Sequence, residues 1–464
     1  MRKSRRITGL LLSLALLPML LFGITFAPQK AYAAPGDYNA GDVVVINAII
    51  ANNGLNWSPA PTDGSSIPAD WTGVTWDGSA TDQRIIELDV SSSLISGSLD
   101  VSGLDELETL ACADNQLTAL GLPDSLTSLD CSNNQLPALP TLPILAYLDC
   151  SNNQLPALPV LPNLTHLDCS YNQLPGLPTL PSTVTYLDCS HNLLPALPDL
   201  PNLVYLDCSY NEKPALPTLP GTLKYLYCDG NQYTALPTLP SSLLELSCSN
   251  NQITALPTLP SLTYLDCSHN QLPALPAPFP GTLTYLDCSY NQLPALPSPL
   301  AGLIEYLYCD GNQLTALPTL PGDLLTLSCS ENQLTALPTL PGGLTVLDCS
   351  SNQLPALPYL PDTMTYLDCS NNLLTSVLLS STAGYDYINV SMNLMTDESA
   401  VTGQSITWDG VNFIFWPQKT PTGPGLPGTG DSNLPGLVVL SFLCGLGALS
   451  LLGALAWRRR RQIQ

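Results

Sequence analysis

Apolar residues return along this chain at a period near twenty. LTYLDCSHNQL at 262–272 shows the unit, followed by a proline-rich arm such as LPALPTLP. Aligned on asparagine, close variants of L-x-x-L-x-C-x-x-N-x-L recur at Asn115, Asn134, Asn153, Asn172, Asn192, Asn211, Asn231, Asn251, Asn270, Asn291, Asn312, Asn332, Asn352 and Asn372, spaced 19 to 21 residues apart. Such a period predicts stacked turns that bury a continuous core only together. The arms carry a proline about every third residue, so they cannot be helical. Fixed φ and missing N–H groups favour an extended or polyproline-II return.

The eleven-residue unit resembles the leucine-rich repeat consensus, in which cysteine is an accepted sixth residue. The resemblance implies a β solenoid: x-x-L-x-C becomes a short strand of a parallel sheet on the concave face, and the arms run along the convex side. Alternation then sends the fourth and sixth residues inward and the third and fifth outward. The asparagine is expected to satisfy backbone groups as the chain leaves the strand. The short LPxLP arm is similar to the 20-residue repeats of bacterial effector proteins rather than to the longer internalin repeats. Some of those effectors append a ubiquitin-ligase domain, for which too little chain follows the repeats here.

Fourteen repeat cysteines occupy the sixth position, from Cys112 to Cys369, and a fifteenth, Cys444, lies in an apolar tail. Two degenerate turns flank the array, IIELDVSSSLI at 85–95 and YDYINVSMNLM at 385–395, and place Val90 and Val390 at that position. The position therefore asks for a small apolar side chain. Strands in register set successive Cβ atoms about 4.8 Å apart with parallel vectors, beyond the 3.5 to 4.5 Å of an ordinary disulfide. One ligand per turn in a row makes no tetrahedral metal site. Buried thiols are expected, with strained disulfides or a metal row as the alternatives.

The two ends read as addresses. Residues 1–33 have a basic start, an apolar run and Ala31-Tyr32-Ala33, predicting a signal peptide cleaved between Ala33 and Ala34, with a retained membrane anchor as the alternative. Residues 419–433 form a Pro/Gly linker containing Leu426-Pro427-Gly428-Thr429-Gly430. An apolar stretch at 434–457 is long enough to cross a membrane, and a basic tail follows at 458–464. This tail resembles the LPxTG sorting signal of Gram-positive surface proteins. The resemblance implies that a sortase thiolate attacks the Thr429 carbonyl and that peptidoglycan becomes the covalent partner, with localisation at the cell wall.

Between these addresses lie 34–84, rich in tryptophan and expected to cap the first turn; a solenoid of about 16 turns at 85–395; and 396–418, where SITWDGVNFIFWPQ alternates like a strand pair and closes the other end. Sixteen turns make a rod of about 75 Å. Trp57, Trp71 and Trp76 are read as cap residues, with sugar binding as the alternative.

Only four basic residues stand between 34 and 429 against 36 acidic ones, which excludes nucleic acid as a partner. The predicted outward columns hold Tyr147, Tyr186, Tyr205, Tyr225, Tyr264, Tyr285, Tyr306 and Tyr366 at the third residue, and Asp130, Asp149, Asp168, Asp188 and Asp207 at the fifth, with Asp266, Asp287, Asp348 and Asp368 beyond. Tyr171, Tyr210, Tyr290, His191 and His269 extend the rim. Tyrosines on a rigid sheet suit a protein or glycan ligand. Aspartates about 4.8 Å apart repel by about 1 kcal/mol per pair even in water, so calcium or a basic partner is the candidate ligand of that column. LYCDGNQYTALPTLP at 226–240 returns as LYCDGNQLTALPTLP at 307–321, so blocks of repeats have been copied, and copying alone could spread Tyr and Asp. No nucleophile motif, P-loop or glycine fingerprint occurs, so no enzyme is expected. The function read from the sequence is adhesion through the concave face of a wall-anchored protein, with an anionic structural stalk as the alternative.

Overall fold

The computed structural model describes residues 37–211, 215–300 and 302–419. The signal peptide with Ala33 and Ala34, the motif Leu426, Pro427, Gly428, Thr429 and Gly430, Cys444, the apolar stretch and the basic tail lie outside the described residues. No described helix is long and apolar enough to cross a membrane.

The repeat becomes a parallel solenoid. Three-residue strands such as Tyr147–Asp149, His166–Asp168 and Tyr186–Asp188 stack in an 18-stranded sheet. They pair in register, with Tyr147 against His166, Leu148 against Leu167 and Asp149 against Asp168. Sixteen of these strands, from β2 (Ile85–Asp89) to Tyr387–Asn389, are one per repeat turn and match the expected number. The period holds because each turn contributes the same inward set. Leu145, Leu148, Cys150 and Leu155 are all buried, and their counterparts continue the column above and below. A fully buried leucine contributes about 1.5–3 kcal/mol relative to exposure, so each turn adds several such increments at its interface with the next.

The asparagines act as expected. Asn153 Nδ2 donates to the carbonyls of Cys131, Cys150 and Ser151 at 3.0, 3.2 and 3.2 Å, and its Oδ1 accepts the Leu136 N–H at 2.9 Å. One buried amide thus joins its own turn to the preceding one.

All fourteen repeat cysteines are buried thiols. Cys150 Sγ lies 3.5 Å from the Asp168 carbonyl of the next turn and Cys228 Sγ 3.3 Å from that of Ser247, so the thiols double the strand ladder with weak S–H donors. Burial pushes the Cys150 and Cys228 thiols well above their ordinary range, which keeps them un-ionised and unreactive.

The arms between residues 122 and 376 contain neither helix nor strand among the described residues. The first two turns differ: Ser96–Asp100 and Gln116–Gly121 pair as a small second parallel sheet, where the sequence has no proline to remove donors.

The ends are closed by different devices. At the first turn a helix, α1 (Ala40–Asn53), begins at Asn39, whose side chain accepts the Asp42 N–H, and stops at Gly54 in the left-handed region. The tryptophan-based reading of this segment did not include that helix. A strand, β1 (Val74–Trp76), covers the sheet edge by pairing antiparallel with β2. Buried Asp42 holds Arg84 through two bonds of 3.0 Å and accepts the Ile85 N–H. Trp71 and Trp76 are buried, and Trp57 stacks on Trp71 at 6.3 Å. At the other end the expected strand pair does not fold on itself. Val401–Thr402 joins Val377–Leu378 and Phe413–Ile414 joins Tyr387–Asn389, both parallel, so the segment runs as one more abbreviated turn.

Candidate functional site

The outer face of the sheet gathers the predicted residues into three parallel columns. In the third-residue column Tyr186, Tyr205, Tyr225, Tyr264, Tyr285, Tyr306 and Tyr366 are half-buried, while Tyr147 is 37% exposed. Strand spacing places each ring against the next. Tyr147 stacks on His166 at 4.4 Å, His166 on Tyr186 at 3.9 Å, and Tyr186 on Tyr205 at 4.3 Å. Stacked rings cover one another's faces, so this column presents edges and hydroxyls rather than the flat surfaces expected from sequence. Burial pushes the Tyr147 hydroxyl up, with Asp149 adding to the shift, and lowers the His166 imidazole to about 4.

The fifth-residue column departs from the expected solvated acidic stripe. Asp130, Asp149 and Asp168 are half-buried, and Asp188 and Asp207 are buried, Asp188 being 1% exposed. Each carboxylate folds onto its own turn. Asp149 Oδ1 accepts the Ser151 N–H at 3.0 Å and its hydroxyl at 2.7 Å, and Asp188 does the same with Ser190. This local Asx-type geometry ends the strand. Burial pushes Asp149 up to about 7 and Asp348 up to about 8, with Asp168 and Asp368 respectively adding repulsion. No group of metal-ligating side chains suited to an ion occurs among the described residues.

Two turns show that the carboxylate serves the turn. Where Ser247 and Ser328 replace the fifth-residue aspartate, the preceding turn carries Asp229 or Asp310 at its seventh position. Asp229 Oδ1 then accepts the Ser247 hydroxyl at 2.7 Å and the Ser249 N–H at 2.6 Å. Asp310 repeats both bonds with Ser328 and Ser330. The carboxylate has moved to a neighbouring strand and kept its target. The signal was legible as LYCDG followed one turn later by LSCS.

The third column is the eighth residue of each turn, and every one of its members lies in the left-handed region, with φ between 51° and 59°. Asparagine and glycine suit that conformation and histidine is tolerated in it; tyrosine is not favoured there. Yet Tyr171, His191 and Tyr210 occupy three consecutive places, and His269 and Tyr290 two more. Tyr171 is 50% and Tyr210 47% exposed. Tyr171 stacks on His191 at 4.0 Å and His191 on Tyr210 at 4.4 Å. The stack ends on glycine: a Cβ at Gly230 would stand 2.4 Å from the Tyr210 ring, and one at Gly311 would stand 2.5 Å from that of Tyr290. Sequence reasoning placed these rings on the rim and missed both the strain and the glycine seats.

Residues 241–277 match the model of the leucine-rich repeat family. Among solved structures the chain is similar to YopM from Yersinia enterocolitica, at 35% identity over 66% of this chain and 78% of that one, with a TM-score of 0.57. It is also similar to YopM from Yersinia pestis, a leucine-rich effector protein, at 34% identity over 65% and 88%, with a TM-score of 0.60. The functional domain of InlJ from Listeria monocytogenes, described as including a cysteine ladder, is 28% identical over 70% and 73%, with a TM-score of 0.54. Comparison with curated proteins gives no match.

Proposed function

Since the chain belongs to the leucine-rich repeat family, we propose that it is a wall-anchored surface protein whose sheet face captures a protein ligand. In this reading the chain is exported, cleaved after Ala33, and joined by a sortase through Thr429 to peptidoglycan, leaving the solenoid outside the cell as an adhesin. A cysteine ladder is described for the Listeria protein, and in this reading the buried column from Cys112 to Cys369 builds the scaffold and leaves binding to the outer columns.

One observation carries the binding role: half-exposed aromatic rings held at left-handed positions where glycine or asparagine would fold at lower cost. Left-handed backbone costs a residue with a Cβ about 1–2 kcal/mol, and strain of that kind gathers at functional surfaces. The test is capture by the purified chain on arrays of matrix proteins, wall polymers and glycans. Replacing Tyr171 and Tyr210 with asparagine, which suits the same φ, is expected to weaken capture at least tenfold without lowering the melting temperature. Full capture by that variant would count against the sheet face.

The buried, locally bonded carboxylates favour a second reading, a stalk whose columns serve the solenoid alone. The arrays separate the two: a stalk captures no ligand on any of them, whereas the adhesin does.

A further inference from the structure

Four consecutive turns occur twice in the same order. YLDCSHN, YLDCSYN, YLYCDGN and x-LSCS-x-N begin at Tyr186, Tyr205, Tyr225 and Glu245, and again at Tyr264, Tyr285, Tyr306 and Thr326. The structure reproduces their geometry. Tyr205 meets Tyr225 at 6.3 Å and 39° and Tyr227 at 5.6 Å and 43°; Tyr285 meets Tyr306 at 6.3 Å and 34° and Tyr308 at 5.6 Å and 42°. In both blocks the ring stack therefore opens into a tilted cluster of three tyrosines. Beyond it the third-residue position holds Glu245 or Thr326, neither of which has a ring.

Copying explains why the blocks began alike; it does not explain which positions stayed alike. The arms have diverged, as LLPALPDLPNLV at 193–204 against QLPALPAPFPGTLT at 271–284 shows. Lys224 of the first block is replaced by Glu305 in the second, and Asn250 by Glu331. The ring-bearing positions of the sheet face and their glycine seats are unchanged, whereas the buried Tyr233 is replaced by Leu314.

We propose that the sheet face carries two equivalent subsites, one at Tyr205, Tyr225 and Tyr227 and one at Tyr285, Tyr306 and Tyr308, which together take an extended peptide with basic side chains six residues apart. Charge selects a basic partner. Glu245, which accepts the Tyr227 hydroxyl at 2.6 Å, and Asp207 act on the first cluster and Asp287 and Asp310 on the second, while Lys224 is the one basic side chain of either block among the described residues. A cation is attracted both by carboxylates and by the π-density of tyrosine. Spacing selects the period. Four strands separate the clusters, about 19 Å at 4.8 Å per strand, and six residues of extended peptide span about 20 Å and return to the same face.

This inference rests on the sheet face being the binding surface, and the experiment separates the two. Three probes are titrated into the full chain by calorimetry: an acetylated, amidated Gly/Thr peptide with arginines at i and i+6, the same peptide with one arginine, and the neutral disaccharide N,N′-diacetylchitobiose. The two-arginine peptide is expected to bind one per chain and at least tenfold tighter than the one-arginine peptide, which binds twice. Tyr225→Ala or Tyr306→Ala each reduces the two-arginine peptide to one-arginine affinity and the one-arginine stoichiometry to one. The double variant binds neither, and unchanged circular dichroism shows that it is folded. Equal affinity of the two peptides overturns the paired subsites while leaving a single site on this face. Tyrosine-dependent binding of the disaccharide without the peptides overturns the basic occupant. Peptide binding that no tyrosine variant alters, or no peptide binding at all, overturns the proposal, and the array test with Tyr171 and Tyr210 then decides the broader reading alone.

Discussion

The relocated carboxylate gives a quantitative test of how the turns are held. Asp229→Ala removes the acceptor of two bonds, the Ser249 N–H at 2.6 Å and the Ser247 hydroxyl at 2.7 Å. Hydrogen bonds to a charged acceptor contribute about 1.5–3 kcal/mol each. Burial pushes Asp229 up to about 7, so near neutrality the group is only partly ionised and the lower figure applies to each bond. A loss of about 2–3 kcal/mol follows. Adding Ser247→Asp restores the arrangement of turns such as that of Asp188, where the carboxylate caps the serine two residues on within its own turn. The double variant should therefore recover most of the loss, a coupling of about 2 kcal/mol in a double-mutant cycle. Guanidinium unfolding gives the energies, and hydrogen exchange at Ser249 shows where they arise. Additive losses, with the double variant weaker than either single one, would refute the reasoning. Asp310 with Ser328 offers an independent repeat of the experiment.

Other consequences are separately measurable. Asn153→Ala orphans the buried Leu136 N–H and the carbonyls it joins, so it should cost about 2–4 kcal/mol in the same unfolding assay; a loss below about 1 kcal/mol would show that the amide column is dispensable. Cys228→Val should cost less than about 1.5 kcal/mol, as Val90 and Val390 already fill that column in the terminal turns, and a larger loss would mean that the sulfur is more than filler. The carboxylates of Asp149 and Asp348 hold protons more tightly folded than unfolded, since burial raises them to about 7 and 8. Their contribution is fully present below about pH 4 and lost as pH rises through 7 to 8, so the melting temperature should fall between pH 5 and pH 8; a flat or rising profile would contradict it. Thr429→Ala should send the chain to the medium or leave it membrane-bound, with none released from purified walls by muralytic digestion.

The inward half of the molecule was legible because it repeats. Leu148 and Cys150 sit where alternation puts them, and Asn153 bonds as an amide at the strand exit must. The outward half was less so. The sequence reading treated Asp149 and Asp188 as surface charges because period two assigns a side, not a rotamer, and a short carboxylate can turn back to its own backbone. Tyr186 and Tyr205 were assigned to one column correctly, but parallel register brings the rings within stacking distance and changes what they offer a ligand. Tyr210 over Gly230 needed backbone angles that composition does not carry, though the pairing of an aromatic with a glycine one turn later is visible once that column is known to be left-handed. Helix α1 escaped because it belongs to a cap outside the repeat, where no neighbouring copy reinforces the pattern.

The most direct measurement places a photo-crosslinking amino acid at Tyr210, at Tyr290, or at Tyr359, which is exposed on a proline-rich arm. Each variant is exposed to the ligand identified on the arrays, and the crosslinks are mapped by mass spectrometry. The account predicts crosslinks from positions 210 and 290 and none from 359; crosslinks confined to 359 would move the binding surface to the opposite side of the solenoid and contradict it.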